Sequence, residues 1–307
     1  MIPLLILLVL VLLLLTIAYI AFYLTFLRLP IEPNPSKSPF LAPYAADIEA
    51  GAKWVLSQSL ERVSITSYDG LDLVGYFLPA ENAKGTLLLV HGYRGGPWVD
   101  FSVVYEYYHS LGWNILTVMQ RASGESGGTY ITFGVKERYD VRDWAVYLAD
   151  RFGPEHRIVL DGISMGATCV LMSTETGLPA NVRGIIADCG FTTPWDEFRH
   201  VLKSRHIPAQ PIMAIVSVYA KLFAGFGFRD CSTLSAVKQS DIPTVFVHGE
   251  KDNFVPLRFS QENYAACSAE KYLFTVPEAG HGGSYLVDRD GCRAALVAFL
   301  NRVTAGA

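Results

Sequence analysis

The stretch Arg157-Ile-Val-Leu-Asp-Gly-Ile-Ser-Met-Gly-Ala167 decides the fold. The branched apolar run 157–160 reads as a buried strand and 165–176 as a helix, so Gly162-Ile-Ser164-Met-Gly166 falls at a strand-to-helix turn. A serine on so sharp a turn needs small neighbours two residues away, because the two backbones approach each other there. The turn projects Oγ into a cleft, and the helix N-terminus behind it favours developing negative charge. Ser164 is therefore the candidate nucleophile.

Outward from this turn, short apolar runs alternate with longer amphipathic ones, the pattern of a sheet flanked by helices. Segments 62–67 and 71–78, separated by Tyr68-Asp-Gly70, read as an opening hairpin. The runs 86–90, 114–119, 157–160, 182–187, 244–247 and 272–276 are nearly continuous in apolar residues, which suits central strands of a parallel sheet buried on both faces. Helices are expected over 44–60, 99–111, 136–151, 165–176, 257–268 and 284–303. The alternation breaks between 191 and 240, where two helical patterns and no clear strand read as an inserted lid.

A serine hydroxyl is a poor nucleophile until a base takes its proton and a third group orients that base. His281, in Glu278-Ala-Gly-His-Gly-Gly283, follows the last strand, and its flanking glycines let the loop reach back over the cleft. Asp252, in Val247-His-Gly-Glu-Lys-Asp-Asn-Phe-Val-Pro256, follows the penultimate strand and is the expected acid; Asp188 after the preceding strand is the alternative. Glu250 shares the Asp252 loop and is expected to point elsewhere. The oxyanion hole needs two fixed backbone N–H groups. Met165 supplies one, and Tyr93, in His91-Gly-Tyr-Arg-Gly-Gly96, the other; His91 is expected to be a structural hydrogen-bonder. Gly124-Glu-Ser126-Gly-Gly128 repeats the Gly-x-Ser-x-Gly pattern, but no amphipathic helix follows it, so Ser126 reads as a turn residue. His200 and His206 read as ordinary lid residues.

These motifs stand in the order of the α/β-hydrolase superfamily, which the chain resembles from about residue 62 to 303. Finer features resemble its membrane-anchored serine hydrolases, of the serine-aminopeptidase-like and domain-containing hydrolase types. The resemblance implies an α/β-hydrolase fold, with a mostly parallel sheet flanked by helices and a helical lid at about 191–240. It implies ester or related acyl hydrolysis through Ser164, Asp252 and His281. One departure is Met119-Gln-Arg-Ala-Ser-Gly124, where relatives often carry Asp-x-Arg-Gly-His-Gly; the loop shapes the site, so the departure bears on substrate rather than chemistry.

Composition divides the 307 residues in two. Residues 1–27 contain no charged residue and no histidine; setting them aside leaves about 47% hydrophobic residues, ordinary for a soluble domain. A helix over 1–27 would be about 40 Å long, enough to span a bilayer of roughly 30 Å. No positive residue precedes the apolar run and no small-x-small cleavage pattern follows it, which favours an anchor over a signal peptide. Pro30, Pro33, Pro35, Pro39 and Pro43 then make 28–43 a semi-rigid spacer, expected to lift a hydrolase domain over 44–307 off the membrane. Arg28 and Lys37 lean the domain toward the cytoplasm.

The net charge of −4 and the absence of any Lys/Arg cluster exclude an ordinary nucleic-acid binder. The five cysteines have no Cys-x-x-Cys pairing, so buried free thiols are expected. No metal-ligand spacing or phosphate loop implies a cofactor. The expected partners are a small-molecule or lipid-like acyl substrate and the membrane. An apolar stripe in the lid, including Trp195, Phe198, Ile215, Tyr219, Phe223 and Phe226, reads either as core packing or as an acyl-binding or membrane-facing wall. Two competing functions remain: a peptidase or amidase, in which lid Glu197 would hold a substrate amine, and a non-catalytic scaffold displayed at the membrane.

Overall fold

The computed structural model describes residues 2–29, 34–37 and 41–305. Eight strands, β1 (Glu61–Thr66), β2 (Asp72–Leu78), β3 (Thr86–Val90), β4 (Asn114–Val118), β5 (Ile158–Ile163), β6 (Val182–Asp188), β7 (Thr244–Gly249) and β8 (Lys271–Val276), form one sheet. Their order is β1-β2-β4-β3-β5-β6-β7-β8. The opening hairpin joins antiparallel, and every pair from β4 to β8 is parallel.

Strand periodicity divides the core between the two faces of this sheet. Leu88, Val90, Leu116 and Leu160 pack with Trp144 and with Val170 of the helix Met165–Ser173 on one face. Leu87, Leu89, Val159 and Ile186 pack with Tyr105, Trp113 and Leu296 on the other. All five cysteines are buried and free.

Two expected helices are each split in two. The pattern over 99–111 yields Pro97–Asp100 and Tyr105–Ser110, separated by a turn, and Asp100 at the end of the first accepts the Gly92 amide at 2.6 Å. The pattern over 284–303 yields Ser284–Val287 and Arg289–Ala305; Asp288 leaves helical geometry and its carboxylate accepts the Gly291 amide at 2.9 Å, an N-terminal cap. Between β6 and β7 the insertion carries Pro194–Ser204, Ile212–Tyr219, a wider turn Ala220–Ala224, and Thr233–Lys238.

Ile2–Phe26 is a single helix, 25 residues long, interrupted in its apolar run by Thr16 and Thr25 and apolar enough to cross a membrane. Its C-terminal end is bonded directly to the domain. Ile131 donates to the Phe26 carbonyl and Arg28 to that of Thr129, both at 2.8 Å. The Arg28 guanidinium reaches the carbonyls of Ser126 and Gly124. Phe26 is enclosed by Phe133, Phe198, Phe226 and Phe228. Pro30, Pro33 and Pro39 of the proline-rich stretch lie outside the described residues.

Candidate active site

The turn after β5 holds Ser164 at φ 56°, ψ −118°, a left-handed conformation costly for a residue with a Cβ. The flanking glycines explain how it is tolerated. A Cβ on Gly166 would collide with the Val90 carbonyl oxygen, and one on Gly162 with the Gly166 backbone. Gly92 likewise lies against Ser164, 3.3 Å from where its own Cβ would stand to the serine Cβ.

Three loops at the carboxyl ends of β5, β7 and β8 bring Ser164, Asp252 and His281 together. His281 Nε2 lies 2.9 Å from Ser164 Oγ, and Nδ1 lies 2.7 Å from Asp252 Oδ2. Asp252 Oδ1 accepts the amides of Phe254 and Val255 at 2.9 and 2.8 Å. Burial alone would raise this carboxyl, but hydrogen bonds from His248 and His281 outweigh it and hold the group below the usual carboxylate range. It therefore stays ionised beside the imidazole.

Sequence reasoning missed His248, which is fully buried with Nδ1 2.7 Å from Ser260 Oγ and Nε2 2.8 Å from the Val255 carbonyl. It braces the loop that carries Asp252. An ionisable residue at the end of an apolar strand was the available signal, since a buried polar group must find partners. Asp100 was also missed; by taking the Gly92 amide it shapes the loop bearing Tyr93.

Met165 opens its helix, where amides have no intrahelical acceptor, and Tyr93 lines the same cavity as Ser164. His91 donates from Nδ1 to the Gly92 carbonyl at 2.8 Å and accepts the Gln120 amide at Nε2 at 3.1 Å. Ser126 is fully buried, donating to the Met119 carbonyl at 2.6 Å and accepting the Val74 amide at 2.9 Å. Glu250 turns away to accept the hydroxyl of Thr275. His206 is exposed, and His200 lies 3.3 Å from the Asn253 carbonyl. Glu197 is buried, and neither of its carboxyl oxygens has a hydrogen-bond partner.

A cavity of about 290 Å³ runs from Ser164 along the sheet face opposite Trp144. Ile48, Val104, Ile163, Ile186, Val247 and Leu296 supply apolar walls. Asp161 and Asp188 also line it. Burial pushes Asp188 up to about 6 and Asp161 up to about 7, the latter with Tyr108 donating to it at 2.7 Å. The Asp188 Oδ1 is buried with no hydrogen-bond partner. None of residues 191–240 lines this cavity. The lid aromatics Phe198, Tyr219, Phe223 and Phe226 pack instead against Tyr19, Phe22 and Phe26 of the N-terminal helix.

Cys189, Asp252 and His281 offer three donor atoms within 4.8 Å of one another. Two of them are already joined by the 2.7 Å hydrogen bond, and burial pushes the Cys189 thiol far above its ordinary value, so it stays protonated.

No family model matches the chain. It is 26% identical to the uncharacterized protein YqkD of Bacillus subtilis over 78% of each chain, and 25% identical to YfhR of Escherichia coli K12 over 76% of this chain and 77% of that one. Among solved structures it is similar to the esterase Pf2001 of Pyrococcus furiosus, with 23% identity and a TM-score of 0.66, covering 82% of this chain and 95% of that one. It is also similar to α/β hydrolase domain-containing protein 10 from mouse, with 18% identity and a TM-score of 0.59 over 79% and 99%. Strand order and these likenesses agree: the chain has the fold of the α/β-hydrolase superfamily.

Proposed function

We propose that the chain is a serine hydrolase that cleaves a carboxylic ester or related acyl bond. The observation that carries this reading is the pair of hydrogen bonds at His281, whose Nε2 accepts the Ser164 hydroxyl and whose Nδ1 donates to Asp252. Ser164 Oγ attacks the acyl carbon while its proton passes to His281 Nε2, and Asp252 holds the resulting imidazolium. The amides of Tyr93 and Met165 receive the oxyanion, each contributing roughly a hundredfold or more in rate. Collapse expels the alcohol, which takes the proton from His281 and leaves an acyl-enzyme on Ser164. Water, deprotonated by His281, then releases the acid and restores the serine. The apolar cavity beside Ser164 accepts the acyl group or an apolar alcohol. Ester cleavage is favoured by the esterase among the structural neighbours and by Glu197, whose burial away from this cavity leaves the peptidase reading without its amine-binding group. Ile2–Phe26 anchors the enzyme in a membrane.

A fluorophosphonate probe tests the reading. It should label the full chain, Ser164→Ala should abolish labelling, and Ser126→Ala should leave it. Absence of labelling in the wild-type chain would return the protein to the scaffold class.

A further inference from the structure

The geometry points to a second membrane-inserted element: the lid segment Ile212–Tyr219 with its turn Ala220–Ala224 lies within the hydrocarbon of the leaflet from which the N-terminal helix emerges. This rests on the reading of Ile2–Phe26 as a membrane span.

The depth follows from lengths. Twenty-five helical residues measure about 37 Å and the hydrocarbon is roughly 30 Å, or about 20 residues, thick. A span starting flush at Ile2 buries residues up to about 21, and one ending at Phe26 buries residues from about 7. Leu15 and Tyr19 lie in hydrocarbon under both placements, and tilt only adds to the buried stretch. The lid touches the helix at these residues. The Tyr219 hydroxyl donates to the Leu15 carbonyl at 3.2 Å, and the ring packs edge-on to Tyr19 with centroids 5.9 Å apart. Phe223 stands 6.2 Å from Tyr19 and 5.7 Å from Phe22. A lid held against Leu15 and Tyr19 shares their depth.

The outward face of the segment fits that surrounding. Val218, Leu222 and Phe223 are 54%, 71% and 51% exposed, a cost in water and none among acyl chains. Lys221 is the segment's one charged residue and pairs with Asp230 at 3.1 Å. The hydroxyl of Tyr219 is satisfied by Leu15, as a polar group in hydrocarbon must be. Arg28 and Arg94 mark the other boundary. The Arg94 guanidinium bonds the carbonyls of Leu24 and Leu27 at the helix end, and that of Arg28, just past the helix, bonds the domain carbonyls of Gly124 and Ser126, at the level where charge meets headgroups.

Because the five native thiols are buried, an introduced cysteine carries an environment-sensitive fluorophore selectively. The full chain is reconstituted in phosphatidylcholine vesicles with label at Leu222→Cys, Leu8→Cys or, on an exposed helix of the domain, Val146→Cys. Lipid carrying a nitroxide in its acyl chain should quench Leu8→Cys and Leu222→Cys severalfold more than aqueous iodide does, with the reverse at Val146→Cys. Lipid quenching at Leu8→Cys with iodide quenching at Leu222→Cys overturns the insertion and leaves the anchor. Iodide quenching at both overturns both. Fluorophosphonate labelling of each variant reports the fold and the serine separately, so a failure of the proposed activity leaves the depth measurement standing.

Discussion

The hydroxyl of Tyr93 donates to the carbonyl of Thr25 at 2.8 Å, tying the loop beside the proposed nucleophile to the last turn of the N-terminal helix. A carbonyl in that turn has no helical donor of its own, so the contact satisfies both groups. Tyr93→Phe keeps the proposed oxyanion amide and removes only this tie. It should lower stability by about 1 kcal/mol and slow fluorophosphonate labelling of the full chain. Unchanged melting and an unchanged labelling rate together would mean that helix and loop are not coupled.

The two acids near His281 should separate in kinetics. Asp252→Asn should reduce kcat on a soluble p-nitrophenyl ester by roughly 10⁴, the scale expected when the histidine loses its orienting carboxylate. Asp188→Asn should cost less than about tenfold, since Asp252 occupies the His281 Nδ1 position. The reverse order would transfer the orienting role to Asp188.

Asp161 sets a pH dependence of stability. Its folded value of about 7 lies above the ordinary 3.8, so between these the folded chain holds a proton that the unfolded chain has released. The folded state then binds more protons, and stability falls as pH rises from about 4 toward 7. Asp188, raised to about 6, adds slope in the lower part of that window. Asp252 acts oppositely, since its depressed value gives stability that is present above the ordinary range and lost in strong acid. Asp161→Asn should therefore lose less stability than the wild-type chain between pH 5 and pH 8 in denaturant titrations; an equal loss in both would refute the assignment.

Around the turn, crowding and hydrogen bonding should be distinguishable. Gly166→Ala should destabilise the fold by about 1–3 kcal/mol or more, because its methyl must displace the Val90 backbone. Ser126→Ala leaves the Val74 amide buried without an acceptor and should cost about 1–3 kcal/mol while sparing labelling. Chemical denaturation reads the first and labelling kinetics complete the second.

The strands and the turn at Ser164 were legible because their signals are local: a branched apolar run, two glycines and a helix onset lie within a dozen residues. Asp252 and His281 were legible for the same reason, each following a strand in a short loop. The broken helix after Asp100 was not, since its apolar spacing continues through the turn at 101–104. Nor was the partner of the lid. Phe22 and Phe26 look like any residues of an apolar helix, and nothing in their spacing tells that aromatic rings some two hundred residues later enclose them. The cavity was not legible either, because its walls come from Ile48, Val104 and Leu296, far apart in the chain.

The joint between Phe26 and Ile131 leaves no free swivel between the N-terminal helix and the domain. With that helix spanning a bilayer as proposed, the tilt that relieves a mismatch in a thinner membrane would rotate the domain by the same angle. The angle at which the cleft faces the lipid headgroups would then follow membrane thickness.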